Sequence, residues 1–181
     1  VYPLIAAATV GIARGISISK IIDSLGTHVA PKGRMNIIPG INGSYIVDDT
    51  YNSSPDALAE AFTALDAITV SGRKIAVLGD MMELGRFSPD EHRKAGQQAL
   101  KSCSVLVTVG PRARLMGEGQ HFDSAEQAAE YMKGIVAAGD VVLVKGSQSI
   151  RLERVSKALM ANPEKAGEML VRQEQEWLNK K

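Results

Sequence analysis

Four clusters of polar residues in this chain could do chemistry, and each one directly follows an apolar run. The clusters read "DDTYNSS" from Asp48, "GDMMELG" from Gly79, "VGPRAR" from Val109 and "VKGSQSIR" from Val144. They combine carboxylates, amides, hydroxyls and cations with glycine, a set of groups that can bind a nucleotide or an anionic peptide. Ligands of an open parallel sheet bind beyond the carboxyl ends of its strands. If the apolar runs are parallel strands, the four clusters lie on one rim.

The cluster that starts at Lys145 is the clearest candidate for binding an anion. Gly146 would let the backbone approach a ligand, and Ser147 and Ser149 offer hydroxyl groups. Lys145 adds a positive charge, and the free amides at the start of the following helix favour negative charge. A plain strand-to-helix turn with a serine cap explains the same residues equally well.

The acid pair Asp48 and Asp49 is the least expected feature of the first cluster. Adjacent residues of a strand point to opposite faces, so the two carboxylates cannot meet one ligand in the same way unless the strand has ended. One of them could accept hydrogen bonds from sugar hydroxyls, as acids do at ribose sites. A turn that feeds the next helix explains Asn52 and Ser54 well but leaves the acid pair unexplained.

The remaining candidates are weaker. Asp80 and Glu83 could hold a cation, although turn chemistry is favoured for two isolated acids. Arg112 and Arg114 could reach an anionic substrate or could be solvated loop residues. His92 lies inside a predicted helix, and we interpret it as a surface or packing residue rather than a catalytic base.

Strands alternate with helices from about residue 33 to residue 160. Five apolar runs, in "RMNIIPG", "SYIVDD", "KIAVLGD", "SVLVTVG" and "DVVLVKGS", predict strands. Ser54 is the predicted N-cap of the first intervening helix, and Ser88 and Ser124 open predicted capping boxes. A last helix is predicted from about Ile150. The alternation predicts an α/β fold, a Rossmann-like and mostly parallel sheet with helices on both faces.

Shorter segments flank this region. Residues 3–14 and the stretch "GISISKIIDSLG" predict two helices before it, the second capped by Ser19 with Ile22 on its buried side. The residues from Pro163 predict a charged terminal helix. The chain therefore divides into residues 1–32, 33–162 and 163–181.

Composition narrows the function classes. The chain has 181 residues, 45% hydrophobic and 23% charged, which is typical of a globular protein. A net charge of +1 gives no general reason to expect nucleic acid or an anionic membrane as partner. The single Cys103, expected to be buried beside a strand, excludes a disulfide framework and a Cys-rich zinc site. No G-x-x-x-x-G-K-[ST], G-x-G-x-x-G, H-E-x-x-H or G-x-S-x-G motif is present, so the sequence contains none of these phosphate-binding, dinucleotide-binding or catalytic motifs. The sequence also lacks an initiator Met, and we therefore expect a fragment of a longer protein.

Three strings in fixed order resemble the C-terminal domain of the Mur ligase family. They are "GRMNIIPG…SYIVDDTYNSSPDAL", "AVLGDMMELG…H" and "VLVKGSQSIRLERV", and they span about residues 33 to 160. The resemblance is strongest to the members that add D-alanyl-D-alanine to UDP-N-acetylmuramoyl-tripeptide. Residues 1–32 resemble the last helices of the family's central ATPase domain and the hinge after it.

The resemblance implies a part of an ATP-dependent amide ligase of peptidoglycan precursor synthesis. ATP would phosphorylate the carboxyl end of the UDP-N-acetylmuramoyl-peptide, and the amine of D-alanyl-D-alanine would attack the acyl phosphate. In the family, the phosphate loop and the Mg²⁺ ligands belong to the central domain and the UDP site to the N-terminal domain. The resemblance therefore implies no metal site and no catalytic residue in this chain, which we expect to be inactive alone. It also implies a cytoplasmic location, with no nucleic acid or membrane as partner.

The resemblance also assigns site residues. Those expected to contact the nucleotide are Arg34, Asp49, Tyr51 and Asn52, with Asp49 on the ribose hydroxyls. Those expected to line the side of the incoming amino substrate are Lys145, Gly146, Ser147 and Arg112.

Two alternatives stay open. The stretch "VGPRAR" occupies the place where diaminopimelate-adding relatives carry D-N-P-R, but Val109 and Gly110 stand at the positions of the Asp and Asn. This difference disfavours the diaminopimelate-adding members, and a sister ligase that adds diaminopimelate or lysine stays one alternative. The other is a non-catalytic binding module of the same fold, which would lack an upstream phosphate-loop domain.

Overall fold

A computed structural model describes residues 2 to 179 of the chain. Its contacts separate a first unit, up to Ala30, from a second unit that begins at Pro31. The first unit contains two helices, α1 (Tyr2–Ala13) and α2 (Ile18–Gly26). They meet at Gly11, where a side chain would lie 2.9 Å from Ile21 Cδ1. The small residue therefore lets the two helices approach closely.

Two details of α2 differ from the sequence prediction. Ser17, not Ser19, occupies the N-cap position, and its side chain makes no capping hydrogen bond. Ile22 is 61% exposed, so the prediction that it lies on a buried side is wrong. The two helices alone offer too little surface to cover both faces of α2.

The second unit is a sheet with helices around it, as predicted. Its six strands lie in the spatial order β1-β2-β6-β3-β4-β5. β1 pairs antiparallel with β2, and the remaining neighbours are parallel. The strands are β1 (Asn36–Pro39), β2 (Tyr45–Asp49), β3 (Lys74–Gly79), β4 (Val105–Val109), β5 (Gln120–Phe122) and β6 (Val141–Lys145). The helices are α3 (Pro55–Asp66), α4 (Ser88–Ser102), α5 (Ala125–Ile135), α6 (Glu153–Leu159), α7 (Ala166–Met169) and α8 (Gln175–Leu178).

Alternating side chains of the central strands build one core on each face of the sheet. On β3, Ile75 and Val77 point into a core shared with α5 and α6. Ala76 and Leu78 point into a second core shared with α3 and α4. All four are at most 1% exposed. This two-sided burial explains why the strand reads as a continuous apolar run.

The helix starts are only partly as predicted. Ser54 Oγ accepts from Ala57 N at 3.4 Å and Ser124 Oγ accepts from Gln127 N at 3.3 Å, so both caps are confirmed. Ser88 is the first residue of α4 rather than its cap, because a short 3₁₀ turn leads directly into the helix. The helix predicted from about Ile150 begins at Glu153, after a 3₁₀ turn.

The segment after residue 162 is not the single helix that its charge pattern predicts. A 3₁₀ turn over Pro163–Lys165 and the short helices α7 and α8 are separated by non-helical residues, with Arg172 at a φ of +57°. Leu170 and Arg172 are 1% and 6% exposed. These contacts with the rest of the unit override the weak helix propensity of the segment.

Two further predictions concern buried and apolar residues. Cys103 is buried at the end of α4, as expected, and burial raises the pKa of its thiol to about 12. Of the helices that the structure describes, none has the length and apolar character needed to cross a bilayer.

Candidate functional site

The four polar clusters meet at one rim of the sheet, because the strands that precede them are parallel neighbours. The loops after β6 and β3 leave in opposite directions at this rim. The loop after β3 leads to α4 on one face, and the loop after β6 leads to α6 on the other. Such a divergence between adjacent parallel strands creates the crevice in which α/β proteins bind ligands. The sequence prediction of a shared rim is confirmed.

A pocket of about 550 Å³ occupies this crevice. Six of its eight described lining residues have polar side chains, and Met82 and Trp177 supply the large apolar ones. The lining residues are Asn52, Met82, Glu83, Ser147, Gln148, Ser149, Arg151 and Trp177. Two of the predicted site residues, Asn52 and Ser147, are therefore in the wall. Lys145, Gly146 and Arg112 are not among the described lining residues.

Buried hydrogen bonds hold the pocket floor in place. Ser147 N donates to the Asp80 carbonyl at 2.9 Å, and Met82 N donates to Ser147 Oγ at 2.9 Å. Met81 N donates to Nε2 of the fully buried His92 at 3.0 Å, so the proton of that ring is on Nδ1, which donates to the Ser88 carbonyl at 2.7 Å. His92 is thus a packing residue, as interpreted from the sequence, and it fixes the loop after β3.

Asp80 organises the neighbouring loop. Its Oδ1 accepts from the backbone amides of Arg112 and Ala113 at 2.9 and 2.7 Å. The Arg112 guanidinium lies 3.6 Å from Asp80 Oδ2 and is 46% exposed. The favoured turn role of Asp80 is confirmed. Within residues 2–179, no three His, Cys, Asp or Glu side chains are grouped so as to hold a metal ion.

Asp49 is paired at the rim with a lysine. Its Oδ2 lies 2.6 Å from Lys145 Nζ, which also donates to the Asn52 carbonyl at 3.0 Å. The Lys145 and Asp49 side chains are 3% and 9% exposed. Asp49 Oδ1 accepts no hydrogen bond from a described residue, and the side chain keeps 9% of its surface exposed. This oxygen can accept a hydrogen bond from a ligand, whereas the Lys145 ammonium is committed to the joint between β2 and β6.

Gly146 has closely packed neighbours. A side chain there would lie 2.9 Å from Leu152 Cδ1 and 3.0 Å from the Gly79 Cα. The absence of a side chain at Gly146 therefore allows a close approach between the ends of β6 and β3. The predicted contacts of Lys145 and Gly146 with the amino substrate stay predictions.

Asp48 points away from its neighbour into the core side of α6. Its Oδ1 accepts from Ser156 Oγ at 2.6 Å and from Thr50 Oγ1 at 3.0 Å. Burial raises the pKa of Asp48 to about 6, although these two hydrogen bonds act in the opposite direction and the nearby Asp49 and Glu153 charges add to the rise. The two acids of the pair thus have different environments, as the alternation of a strand requires.

The raised pKa of Asp48 predicts an unusual pH dependence of stability. The folded chain binds this proton more tightly than the unfolded chain, so the free energy of unfolding falls as the pH rises from 3.8 to about 6. The shift corresponds to about 3 kcal/mol. Urea unfolding gives the free energy of unfolding of the wild-type chain and of Asp48→Asn. We expect the difference between these two free energies to change by about 3 kcal/mol between pH 3.5 and pH 7. A constant difference would contradict the buried position of Asp48.

Arg34 and Tyr51 form an exposed stacked pair beside the acids. Arg34 Cζ lies 4.2 Å from the centroid of the Tyr51 ring, which is 46% exposed. Tyr51 N donates to the Gly33 carbonyl at 3.1 Å, and a side chain at Gly33 would lie 3.0 Å from Tyr51 N. Gly33, at a φ of +70°, therefore lets the chain before β1 sit against the loop after β2. The structure brings together three predicted nucleotide residues, Arg34, Asp49 and Tyr51, around this loop.

A buried charge cluster near the pocket was not predicted from the sequence. Glu153, at the start of α6 and fully buried, accepts from Arg151 Nε at 2.6 Å and lies 3.1 Å from the Arg172 guanidinium. Arg172 also donates to the carbonyls of Thr50 and Tyr51. The charge of this buried carboxylate is thus balanced by two guanidinium groups of the chain itself. The only sign of this cluster in the sequence is the string "RLE", in which Arg151 and Glu153 look like ordinary charged surface residues.

Comparison with known families gives one match that covers most of the second unit. The family described as "Mur ligase, glutamate ligase domain" matches residues 33–148. The matched region contains the first three polar clusters in full and the fourth as far as Gln148, where the 3₁₀ turn begins. It ends before Arg151 and the terminal segment.

Comparison with individual proteins gives similar results. The chain is 31% identical to the UDP-N-acetylmuramoyl-tripeptide–D-alanyl-D-alanine ligase of Buchnera aphidicola, over 89% of this chain and 36% of that protein. It is 30% identical to the Escherichia coli ligase of the same name, over 87% of this chain and 36% of that protein. A crystal structure of MurF ligase from Thermotoga maritima in complex with ADP superimposes with a TM-score of 0.74 and 32% identity, over 87% of this chain and 36% of that one. The chain thus spans about a third of the length of the relatives it matches.

Proposed function

The chain belongs to the Mur ligase family, and from this premise we propose that it is the C-terminal domain of an ATP-dependent ligase that adds D-alanyl-D-alanine to UDP-N-acetylmuramoyl-tripeptide. The names of the relatives and the ADP in the Thermotoga structure support this proposal. The domain would close over ATP and present the amino substrate. Peptidoglycan precursor synthesis in the cytoplasm is the corresponding process.

The ligation consists of two steps. The γ-phosphoryl group of ATP is transferred to a carboxylate oxygen of the muramoyl-peptide, which gives ADP and an acyl phosphate. The neutral amine of D-alanyl-D-alanine then attacks the acyl carbon, the C–O bond to phosphate breaks, and the nitrogen loses a proton as the amide forms. This chain's proposed part is positioning of the reactants, which is a large share of catalysis for phosphoryl transfer.

The observation that carries the proposal is the exposed pair of Arg34 and Tyr51, which lies next to the largely buried carboxylate of Asp49. The face of Tyr51 is suited to stacking on a nucleobase, and Arg34 places a cation beside it. Asp49, the last residue of β2, directly precedes this loop, and its Oδ1 can accept from ribose hydroxyls. Asn52, next in the chain, joins this loop to the pocket wall.

The pocket is the proposed site of the amino substrate. Ser147 lies in its wall, while Lys145 and Gly146 are proposed to shape that wall from behind and Arg112 to reach the substrate from the rim. The described residues offer no grouped metal ligands. We therefore propose that the Mg²⁺ that accompanies ATP is held by residues outside this chain, and we assign no step to it here.

The first unit supports the proposed division of the chain. Its helices leave several large apolar side chains exposed, among them Ile5 at 56%, Val10 at 62% and Ile12 at 57%. Apolar surface of this kind is typical of helices taken from a larger packed domain. We propose that residues 1–32 are the end of the central ATPase domain and its hinge.

Replacement of Tyr51 tests the nucleotide surface. In the full-length ligase, Tyr51→Ala is expected to raise the KM for ATP about tenfold, because the loss of one aromatic stacking partner for a base costs about 1–3 kcal/mol. The matched control is Tyr45→Ala, since Tyr45 is similarly exposed at 51% but lies at the opposite end of β2. Equal KM values for ATP in the two variants would contradict the assignment.

A further inference from the structure

The residues from Leu170 to Leu178, here called the terminal strap, are held against the rim by buried contacts. Leu170 is 1% exposed and packs in the core shared with α5 and α6. Arg172 bonds to Glu153 and to the loop after β2, as described above. Arg151 donates to the Trp177 carbonyl at 2.9 Å, and its Cζ lies 5.4 Å from the centroid of the Trp177 ring. The strap is therefore a built part of the fold at this rim.

The position of Trp177 gives the strap a place in the pocket. The half-buried ring lines the same pocket as Met82, which comes from the loop after β3. These two are the large apolar groups of the wall, and polar residues such as Asn52, Glu83 and Ser147 make up much of the remainder. A wall of this kind fits a small polar molecule that carries small apolar groups, such as a short peptide of small residues.

We infer that Trp177 is a specificity-determining residue for the amino acceptor. With Met82 it forms an apolar slot for the small side chains of a dipeptide acceptor, while polar side chains of the wall such as Asn52 and Ser147 receive the backbone groups. This inference rests on the proposed function and deepens it, because it places the acceptor's selectivity on a segment beyond the family match that ends at residue 148. Arg172 acts as a positioning residue, since it fixes the strap through Glu153.

The test is acceptor kinetics of the full-length ligase with two neighbouring replacements. Trp177→Ala is expected to lower kcat/KM for D-alanyl-D-alanine about tenfold or more, because loss of apolar contact in a substrate pocket has effects of that size. The KM for ATP should change less than twofold. Leu178→Ala is the matched control, since Leu178 is 46% exposed, belongs to the same short helix and does not line this pocket. It should leave both parameters within twofold of wild type.

A second measurement separates a pocket role from a folding role. Trp177 is the only Trp of this chain. The fluorescence change on addition of the acceptor is therefore compared between wild type and Trp177→Phe. The part of the change that is lost in Trp177→Phe is assigned to this ring. Trp177→Leu, which keeps an apolar side chain in the strap, should retain the thermal unfolding midpoint and shift the preference among dipeptides of different side-chain size.

The outcomes distinguish this inference from the proposed function. Wild-type turnover with D-alanyl-D-alanine, together with equal acceptor kinetics for Trp177→Ala and Leu178→Ala, would overturn the role of Trp177 and leave the proposed function standing. Equal losses for ATP and acceptor in Trp177→Ala would overturn it as well. No wild-type turnover with any amino acceptor would overturn the proposed function and this inference together.

Discussion

Lys145→Ala is expected to lower the free energy of unfolding of the chain by about 3–5 kcal/mol, because removal of one partner leaves a buried charge without compensation. Lys145 Nζ lies 2.6 Å from Asp49 Oδ2, and both side chains are buried between the ends of β2 and β6. The loss also leaves the Asn52 carbonyl without its donor. Urea unfolding at pH 7 measures the change.

The exposed pair of Lys133 and Glu130 provides the control for this experiment. The side chains of this pair are 46% and 80% exposed, so Lys133→Ala should change the free energy of unfolding by less than about 1 kcal/mol. The double replacement Asp49→Asn with Lys145→Met removes both charges and should recover most of the loss. If Lys145→Ala were no more destabilising than Lys133→Ala, the lysine would not be paired in the fold and a direct contact with substrate would be favoured.

Glu153→Gln is expected to have a comparable effect, about 3 kcal/mol or more, because it removes one carboxylate from between two buried guanidinium groups. Arg151 and Arg172 are 8% and 6% exposed and both contact Glu153. Glutamine keeps the shape, so the change isolates the charge. Because Arg172 holds the terminal strap, limited proteolysis should also cleave the strap faster in this variant than in wild type.

Glu130→Gln is the matched control for that replacement. It makes the same chemical change at an exposed helix position and should alter the free energy of unfolding by less than about 1 kcal/mol. Equal stability of the two variants, with equal proteolysis of the strap, would contradict the role of Glu153 as the anchor of this segment.

The rim itself was predictable from the sequence because it depends on local patterns. Continuous apolar runs predicted the parallel strands, and a parallel sheet places every polar cluster that follows a strand on one side. Ser54 and Ser124 were predictable as caps, since a cap is a contact between residues three positions apart. The opposite orientations of Asp48 and Asp49 followed from the alternation of a strand.

The inner partners of these residues were not predictable, because they depend on contacts between distant parts of the chain. Lys145 lies 96 residues from Asp49, and nothing local indicates that its ammonium is buried in that pair instead of facing a ligand. Arg172 is another example. It lies 19 residues after Glu153, in a segment whose charges resemble those of a surface helix, so the sequence does not indicate that the two side chains pair. Trp177 is a third example, since the sequence predicts only a charged terminal helix there and indicates no contact with the rim.

The proposed site therefore has two layers with different functions. The outer layer of Arg34, Tyr51 and the pocket wall is exposed and available to ligands. The inner layer, formed by the pair of Lys145 and Asp49 and by the charges around Glu153, fixes the loops that carry the outer layer. Buried charges of this kind contribute little net stability when intact, but they favour one arrangement of the loops.

Ligase turnover tests the central claim most directly. Phosphate release would be measured with ATP, Mg²⁺, UDP-N-acetylmuramoyl-tripeptide and D-alanyl-D-alanine, for this chain alone and for the full-length protein that contains it. We expect turnover only in the full-length protein, and only when D-alanyl-D-alanine is present. Turnover that requires diaminopimelate or lysine instead, or no turnover with any of these acceptors, would contradict the proposed function and favour a sister ligase or a non-catalytic binding module.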